Sequence, residues 1–517
     1  MVAGMQQRLD DRGGNLAIID EFGEWTWRQF NERVNRLIHG LRGLGLGLGD
    51  TMCVVGNNRH EWLEAFAAAS NMGLVAVPVN WHFSAEEIAY VLENSGATVV
   101  VGDAEFADTV GDAVDAAGTR VRICYGGPIN GFTDIEEVIA AGSPEEPADQ
   151  VSGMSMLYTS GTSGRPKGVQ STLQQVGGDP QENLGKLELL LSLYRLTDLD
   201  GKVVLCNAPL YHGGPLLICG LPFFLGSTIV LRRKWGGEET LRLIDDYGVN
   251  IYYAVPTHFT RMLKLPEETR AAFSGASLEY VMHTAAPCPP GVKQQMIDWW
   301  GPVLMELYGA SEAGGVGTFV DSNEWLERPG TVGRATAVAE LMIVDEEGEQ
   351  LGPNEVGQIY VKSLMGIDFT YLGDEEKSTK AHLEPGVFSF GDDGYVDDDG
   401  YLFLSDRKID MIISGGVNIY PAEIESVITT HPAVADCGVF GVPNDEFGEE
   451  VKAAVELTPG ADEAAVEADL KRMCRERLAG YMCPRSYDFG NLPRTATGKL
   501  PKRELRAKYW EGTGRSI

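Results

Sequence analysis

Between Leu16 and Gly102, short apolar runs rich in β-branched residues alternate with helix-patterned stretches, and few architectures accept that alternation. Leu16–Asp20, Thr51–Gly56, Leu74–Asn80 and Ala97–Gly102 read as strands. Trp27–Leu44, Glu61–Asn71 and Ala85–Asn94 read as helices. Strand, helix, strand in this order builds βαβ units around a largely parallel sheet. The texture continues from Gln150 to Thr331, with strands expected at Lys202–Cys206, Thr228–Leu231 and Leu278–His283. From Glu340 it becomes hairpin-like, Leu341–Asp345 turning at Glu346–Gly348 into Gly357–Ser363. A last α/β piece follows: helix Ala422–Thr430, strands Ala435–Val442 and Lys452–Leu457, and helix Ala464–Leu478. The expected fold is α/β, a large N-terminal body of mixed α/β subdomains plus a β-rich unit, then a small C-terminal domain. The division falls at 406/407, giving residues 1–406 and 407–517.

With 517 residues, 44% of them hydrophobic, the chain can bury several cores. Its charge is strongly acidic: 42 Lys and Arg against 75 Asp and Glu give −33. Such a surface repels polyanions, which argues against nucleic acid and anionic membranes as main partners. Any phosphate must then be met by backbone N–H groups and a few local cations. The N-terminus lacks the pattern of a signal peptide, and no run approaches a membrane span, so a cytoplasmic protein is expected. The eight cysteines are scattered without a CxxC pair, and the eight histidines without HExxH, so neither a disulfide framework nor a transition metal is expected. The glycine run Gly43, Gly45, Gly47 and Gly49 follows a helix and does not spell G-x-G-x-x-G; it reads as a helix stop and turn.

The segment that carries chemistry is Tyr158-Thr-Ser-Gly-Thr-Ser-Gly-Arg-Pro-Lys-Gly-Val169. Apolar Met154–Tyr158 reads as a strand entering a loop of hydroxyls and glycines that ends in Lys167. Glycines let N–H groups converge on an anion, hydroxyls donate further bonds, and Lys167 can neutralise a phosphate. Pro166 stands where a Walker loop needs its second glycine, so this is a different phosphate cradle. Elsewhere, Tyr308-Gly-Ala-Ser-Glu312 and Gly391-Asp-Asp-Gly-Tyr395 place the carboxylates of Glu312 and Asp392, hard oxygen donors, near glycines.

These segments, in this order, resemble the acyl-adenylate-forming superfamily of acyl-CoA synthetases, luciferases and peptide-synthetase adenylation domains. Asp406-Arg-Lys-Ile-Asp-Met-Ile-Ile-Ser-Gly-Gly416 is similar to its hinge and following loop, and Pro493-Arg-Thr-Ala-Thr-Gly-Lys499 to its C-terminal lysine segment. The resemblance implies ATP and AMP contacts from Thr159, Ser160, Gly161, Thr162, Ser163, Gly164 and Lys167 in the phosphate loop. It adds Ala285, Ala286, Pro287, Glu306, Leu307, Tyr308, Gly309, Ala310 and Ser311 around adenine, and Asp392, Arg407 and Lys499 at the sugar and α-phosphate. It implies Mg²⁺ on Thr162 and Glu312, and catalytic roles for Lys499, Glu312, Lys167 and His212.

It implies further that Tyr211, His212, His258, His283, Gly314 and Gly315 line the acyl site, and that Ser414, Gly415 and Gly416 line the thiol's path once a mobile C-terminal domain turns about Lys408 and Ile409. Two residues depart from the pattern: Ile409 replaces Asp or Lys at the pivot, and Val417 replaces Glu after the glycines. Amino-acid-activating relatives place an Asp near the substrate; Val255–Phe259 and His283–Cys288 hold none, which favours an apolar acid, fatty, aromatic or steroid side-chain. The expected reaction is acyl-AMP formation followed by transfer to coenzyme A. Carrier-protein loading, luciferase-like chemistry and an inactive binding homologue are the alternatives. A homodimer is the assembly the resemblance suggests. Gln174–Leu193 has no assigned role.

Overall fold

The computed structural model describes residues 5–159, 165–173, 175–310, 312, 316–345, 347–404, 412–414, 417–419, 421–444, 447–494 and 500–511. The alternation near the N-terminus folds as expected. Thr133–Asp134, Val121–Tyr125, Ala97–Asp103, Thr51–Val55, Val75–Val79 and Met154–Ser155 lie side by side in a six-stranded, all-parallel sheet. Helix Trp27–Gly43 shows the local logic. Thr26 caps it and Gln29 returns the bond to the Thr26 N–H at 2.8 Å, while Trp27, Phe30, Val34, Leu37, Ile38 and Leu41 recur at helical spacing and are buried. Gly45 and Gly49 then take left-handed φ of 82° and 86°, making the expected stop and turn.

A second sheet, of 14 strands, carries Leu304–Tyr308, Tyr280–His283, Ile251–Ala254, Val203–Cys206, Thr228–Leu231 and Leu16–Ile19 in parallel. The expected hairpin is present as Ala339–Val344 against Gly357–Ser363. The β-rich unit it belongs to is continuous with the parallel strands, because Tyr401–Leu404 pairs with Gly333–Ala335 and so completes the edge-to-edge path.

The expected strand Met154–Tyr158 divides in two. Met154 N–H and Met156 N–H donate to Leu74 and Ala76 carbonyls in the six-stranded sheet, whereas Leu157–Thr159 pairs with Lys167–Ser171. Met156, 3% exposed, is pinned in the core where the chain changes sheets. Lys167–Ser171 in turn pairs with Phe369–Tyr371 in a three-stranded sheet.

After residue 411, Val434–Asn444 and Gly448–Leu457 form a long hairpin in a five-stranded sheet with its own core of Ile412, Ile419, Ile424, Val439 and Leu470. Helix Pro256–Leu263 of the body packs against Val434–Asn444. No helix among the described residues is long and apolar enough to cross a membrane.

Candidate active site

The two strands that flank the expected phosphate loop form a hairpin. Thr159 and Lys167 are Cα partners at its base, and Ser160, Gly161, Thr162, Ser163 and Gly164 lie outside the described residues. Lys167 points its ammonium at the carboxylate of Asp374. Its strand pairs with Phe369–Tyr371, and the Leu372 N–H donates to the Gly168 carbonyl at 2.8 Å. Tyr371 then donates its hydroxyl to Oε1 of Glu312 at 3.0 Å. Burial pushes the Tyr371 pKa up and the neighbouring Glu312 charge pushes it further, so this phenol stays a donor at neutral pH. Lys377 lies over the Tyr371 ring at 4.1 Å. Burial and the Lys167 charge lower its pKa. The strand pair Lys167–Ser171 and Phe369–Tyr371 thus gathers two cations, Asp374 and the Glu312 carboxylate in a chain of net charge −33.

The segments expected around adenine follow the ends of parallel strands. His283, the last residue of Tyr280–His283, is the Cα partner of Glu306 in Leu304–Tyr308. Just beyond, Ala285 is held at φ 75°, a conformation that costs a non-glycine residue roughly 1 kcal/mol. Tyr308 donates to Oδ2 of Asp392 at 3.1 Å, tying the segments expected at adenine and at ribose to each other. Gly317 is needed beside them, since a Cβ there would fall 2.1 Å from the Tyr308 carbonyl. Ala286, Pro287, Gly309 and Ala310 follow the same strand ends; Ser311 lies outside the described residues.

The Glu306 side chain has another commitment. It is buried and accepts from the buried Lys293 ammonium at 2.5 Å, with His283 Nε2 3.6 Å away. Burial raises the Glu306 pKa and Lys293 opposes the rise. His283, wholly buried, is pushed well below the usual imidazole range by burial and by Lys293, so it is neutral. Leu307 packs in the main core.

On the acyl side, Tyr211 and His212 lie with ring centroids 4.3 Å apart. The Tyr211 hydroxyl and His212 Nε2 are sealed from solvent without a hydrogen-bond partner. Burial drives the His212 pKa down to about 3, helped by the charge of His82, so His212 is neutral and a poor base. His258 is stacked on Trp235 at 4.4 Å and lies 3.4 Å from the Tyr252 hydroxyl, a packed setting in which burial lowers its pKa to about 3. Gly314 and Gly315 lie outside the described residues, as do Arg407, Lys408, Ile409, Gly415, Gly416 and Lys499. Ser414 ends the strand Ile412–Ser414, and Val417 opens the strand with which it pairs. From the unassigned stretch 174–193 comes helix Pro180–Leu193, capped by Asp179, whose Leu189, Leu190 and Leu193 face an apolar pocket of ≈ 180 Å³ completed by Val338 and Met365.

Compared with known families, residues 5–366 match the AMP-binding enzyme family and residues 423–499 match the AMP-binding enzyme C-terminal domain. The chain belongs to the AMP-binding enzyme family. This AMP-binding enzyme is 33% identical over 491 residues to a feruloyl-CoA synthase of an Amycolatopsis species, covering 94% of each chain. It is 31% identical over 495 residues to the long-chain-fatty-acid–CoA ligase FadD13 of Mycobacterium tuberculosis, covering 94% of this chain and 93% of that one. Among solved structures, o-succinylbenzoate CoA synthetase (MenE) of Bacillus subtilis, in complex with its acyl-adenylate intermediate, matches with a TM-score of 0.77 and 27% identity over 97% of both chains.

Sequence reasoning about this AMP-binding enzyme missed Asp374, Tyr371, Lys377 and Lys293. The first three lie on or beside a strand whose partner is about 200 residues away, and no local pattern announces that pairing. Lys293 sits in an ordinary helix, Pro290–Trp300, and only its complete burial marks it. Asp20, His60 and Glu61 also bring three potential ligand atoms within 4.8 Å. They satisfy one another, though: His60 Nδ1 lies 2.8 Å from Asp20, and Arg59 takes both Glu61 oxygens at 2.6 and 2.9 Å.

Proposed function

We propose that this chain is an AMP-forming acid–thiol ligase, joining an apolar carboxylic acid to AMP and then passing the acyl group to coenzyme A. The relatives' names, feruloyl-CoA synthase and long-chain-fatty-acid–CoA ligase, support an aromatic or a fatty acid as substrate. A carboxylate oxygen attacks the α-phosphorus of ATP, the bond to the β-phosphate oxygen breaks, and pyrophosphate leaves. The coenzyme A sulfur then attacks the acyl carbon, the bond to the AMP oxygen breaks, and AMP departs while the thiol proton passes to solvent. Neither step requires a covalent enzyme nucleophile, so catalysis is positioning and charge stabilisation.

In this reading, Lys167 and the 160–164 loop receive the phosphates, with Lys377 beside them. Tyr308, Asp392 and the turn at Ala285 hold the nucleoside, and Tyr211 and His212 orient the acid. Lys499 stabilises charge at the carboxylate and α-phosphate. The Glu312 carboxylate, fixed through one oxygen by Tyr371, has the chemistry to hold Mg²⁺, which would neutralise the pyrophosphate as it leaves. Residues 1–406 act as the body and 407–517 as a lid that serves the two half-reactions in turn. Family matches that stop at 366 and resume at 423 support a boundary in that interval.

The observation that carries the reading is the joining of Lys167, Asp374, Tyr371 and Glu312 through one strand pair and the bonds at its edge. A panel of aromatic and fatty acids, scored for acid-dependent pyrophosphate release and then for coenzyme A consumption, tests it. Pyrophosphate release without coenzyme A consumption would move the acceptor to a carrier-protein thiol. Release with no acid would end the proposal. Mass in solution tests the homodimer.

A further inference from the structure

His382 bridges the two ends of the strand that carries Tyr371. It caps the C-terminus of helix Glu375–Ala381, where its own N–H donates to the Thr379 carbonyl and passes over that of Ser378. The ring fills the gap: Nδ1 lies 2.6 Å from the Ser378 carbonyl, and Nε2 lies 2.6 Å from Oδ1 of Asp368. Both partners are acceptors. A neutral imidazole has one N–H and would meet one of these oxygens with a lone pair, whereas the imidazolium donates to both.

Each partner leads to the candidate site. The Asp368 N–H donates to Thr172 Oγ1 at 2.8 Å and the Thr172 N–H returns to the Asp368 carbonyl at 2.9 Å, just past the strand that begins at Lys167. The Asp368 carboxylate also accepts from the Phe369 and Gly386 N–H groups, at 2.8 and 3.0 Å. At the other end, Ser378 Oγ accepts from the Tyr371 N–H at 2.9 Å and donates to the Asp374 carbonyl at 2.8 Å. Tyr371 holds Glu312, and Asp374 faces Lys167. Around the ring, the strands Phe369–Tyr371 and Val387–Val396 present Phe369 and Phe388, with centroids 4.8 and 5.9 Å away. On the helix, Lys380 is taken by Glu376, Lys377 lies over Tyr371, and Glu375 is exposed, as is Glu384 on the ring's own strand. Among the described residues, the charge that His382 faces is Asp368.

We propose that His382, protonated on both nitrogens, is a positioning residue that holds Tyr371 and Asp374 in place for Glu312 and Lys167 and so sets how much Mg²⁺ adenylation needs. This rests on the ligase reading above. Loss of the ring proton as pH rises turns one of the two bonds into a repulsion and frees one end of the strand. Arginine, which donates from several nitrogens and keeps its charge, removes that pH dependence; glutamine, with a single donor group, leaves one end unheld.

The test compares wild type, His382→Gln and His382→Arg between about pH 6 and pH 9. Hydrogen exchange over residues 369–378 needs no catalysis. Protection, taken relative to the free-peptide rate at each pH, should fall several-fold with rising pH in wild type, stay low throughout in His382→Gln and stay high in His382→Arg. In parallel, the Mg²⁺ concentration for half-maximal acid-dependent pyrophosphate release should rise about fivefold with pH in wild type, and by as much in His382→Gln at the lower pH, with the rate at saturating Mg²⁺ within twofold. Placed in Tyr371→Phe, His382→Gln should add nothing further to that midpoint. Protection that ignores both pH and the glutamine overturns the proposal, as does an effect on Mg²⁺ that adds in full to that of Tyr371→Phe. Wild type and His382→Gln decide even if arginine does not fit. A wild type that releases no pyrophosphate with any acid would refute the ligase reading, while the exchange data would still decide whether His382 holds the strand.

Discussion

Tyr371 donates its hydroxyl to Oε1 of Glu312 across 3.0 Å, linking a strand of the three-stranded sheet to the segment after Tyr308. The bond fixes one carboxylate oxygen and leaves the other for a cation. Tyr371→Phe is expected to raise the Mg²⁺ concentration for half-maximal pyrophosphate release several-fold with folding intact, about 1 kcal/mol for one lost hydrogen bond. A Mg²⁺ titration measures it. An unchanged midpoint would mean that Glu312 needs no brace.

Asp374 pairs with Lys167 and also caps helix Glu375–Ala381, accepting from the Lys377 N–H at 3.0 Å. Asparagine keeps the cap and drops the charge. Asp374→Asn should tighten ATP binding a few-fold, and Lys167→Met should weaken it about tenfold, since a partly exposed ion pair contributes about 1 kcal/mol. Equilibrium ATP titration decides; weaker binding in Asp374→Asn would make the aspartate a guide for Lys167.

Lys293→Met strands the buried Glu306 carboxylate, at an expected loss of about 3–5 kcal/mol. The loss should depend on pH. Burial already raises the folded pKa of Glu306, and without Lys293 it rises further. The native state then holds a proton that the unfolded state, with a pKa near ~4.3, has released, so stability falls as pH rises above that value. Thermal unfolding of Lys293→Met at pH 5 and pH 8 should show the larger deficit at pH 8. Equal deficits would mean that Glu306 is relieved by water.

Lys499→Ala should lower acid-dependent pyrophosphate release by roughly 10²–10³-fold while leaving transfer from supplied acyl-adenylate within a few-fold. Equal losses in both half-reactions would remove the division of labour assigned to the lid.

Much of the fold was legible because the buried strands are short apolar runs with clear ends: Thr228–Leu231 and Gly357–Ser363 appear with the bounds their composition suggests. Long-range pairing was not. Met154–Tyr158 is apolar but for Ser155, and nothing in it marks Met156 as the point where the chain leaves one sheet for another. The C-terminal hairpin reaches back to Gly448, beyond the expected start at Lys452, because ladder bonds carry a polar Glu-Glu stretch that hydropathy alone leaves out. At the site, Lys167, Glu312, Tyr308 and Asp392 were visible as segments, while their partners Asp374 and Tyr371 depended on strand register. Glu306, expected as a nucleotide contact, also holds the buried Lys293 ammonium with its carboxylate, a pairing its sequence neighbours do not announce.

Tyr308 and Asp392 touch although 84 positions separate them, each fixed by its own place in the 14-stranded sheet. Loops between the intervening strands can therefore lengthen, shorten or change character while this contact stays as it is. Descendants of such a chain could reshape those loops without unmaking the bond between the two strands.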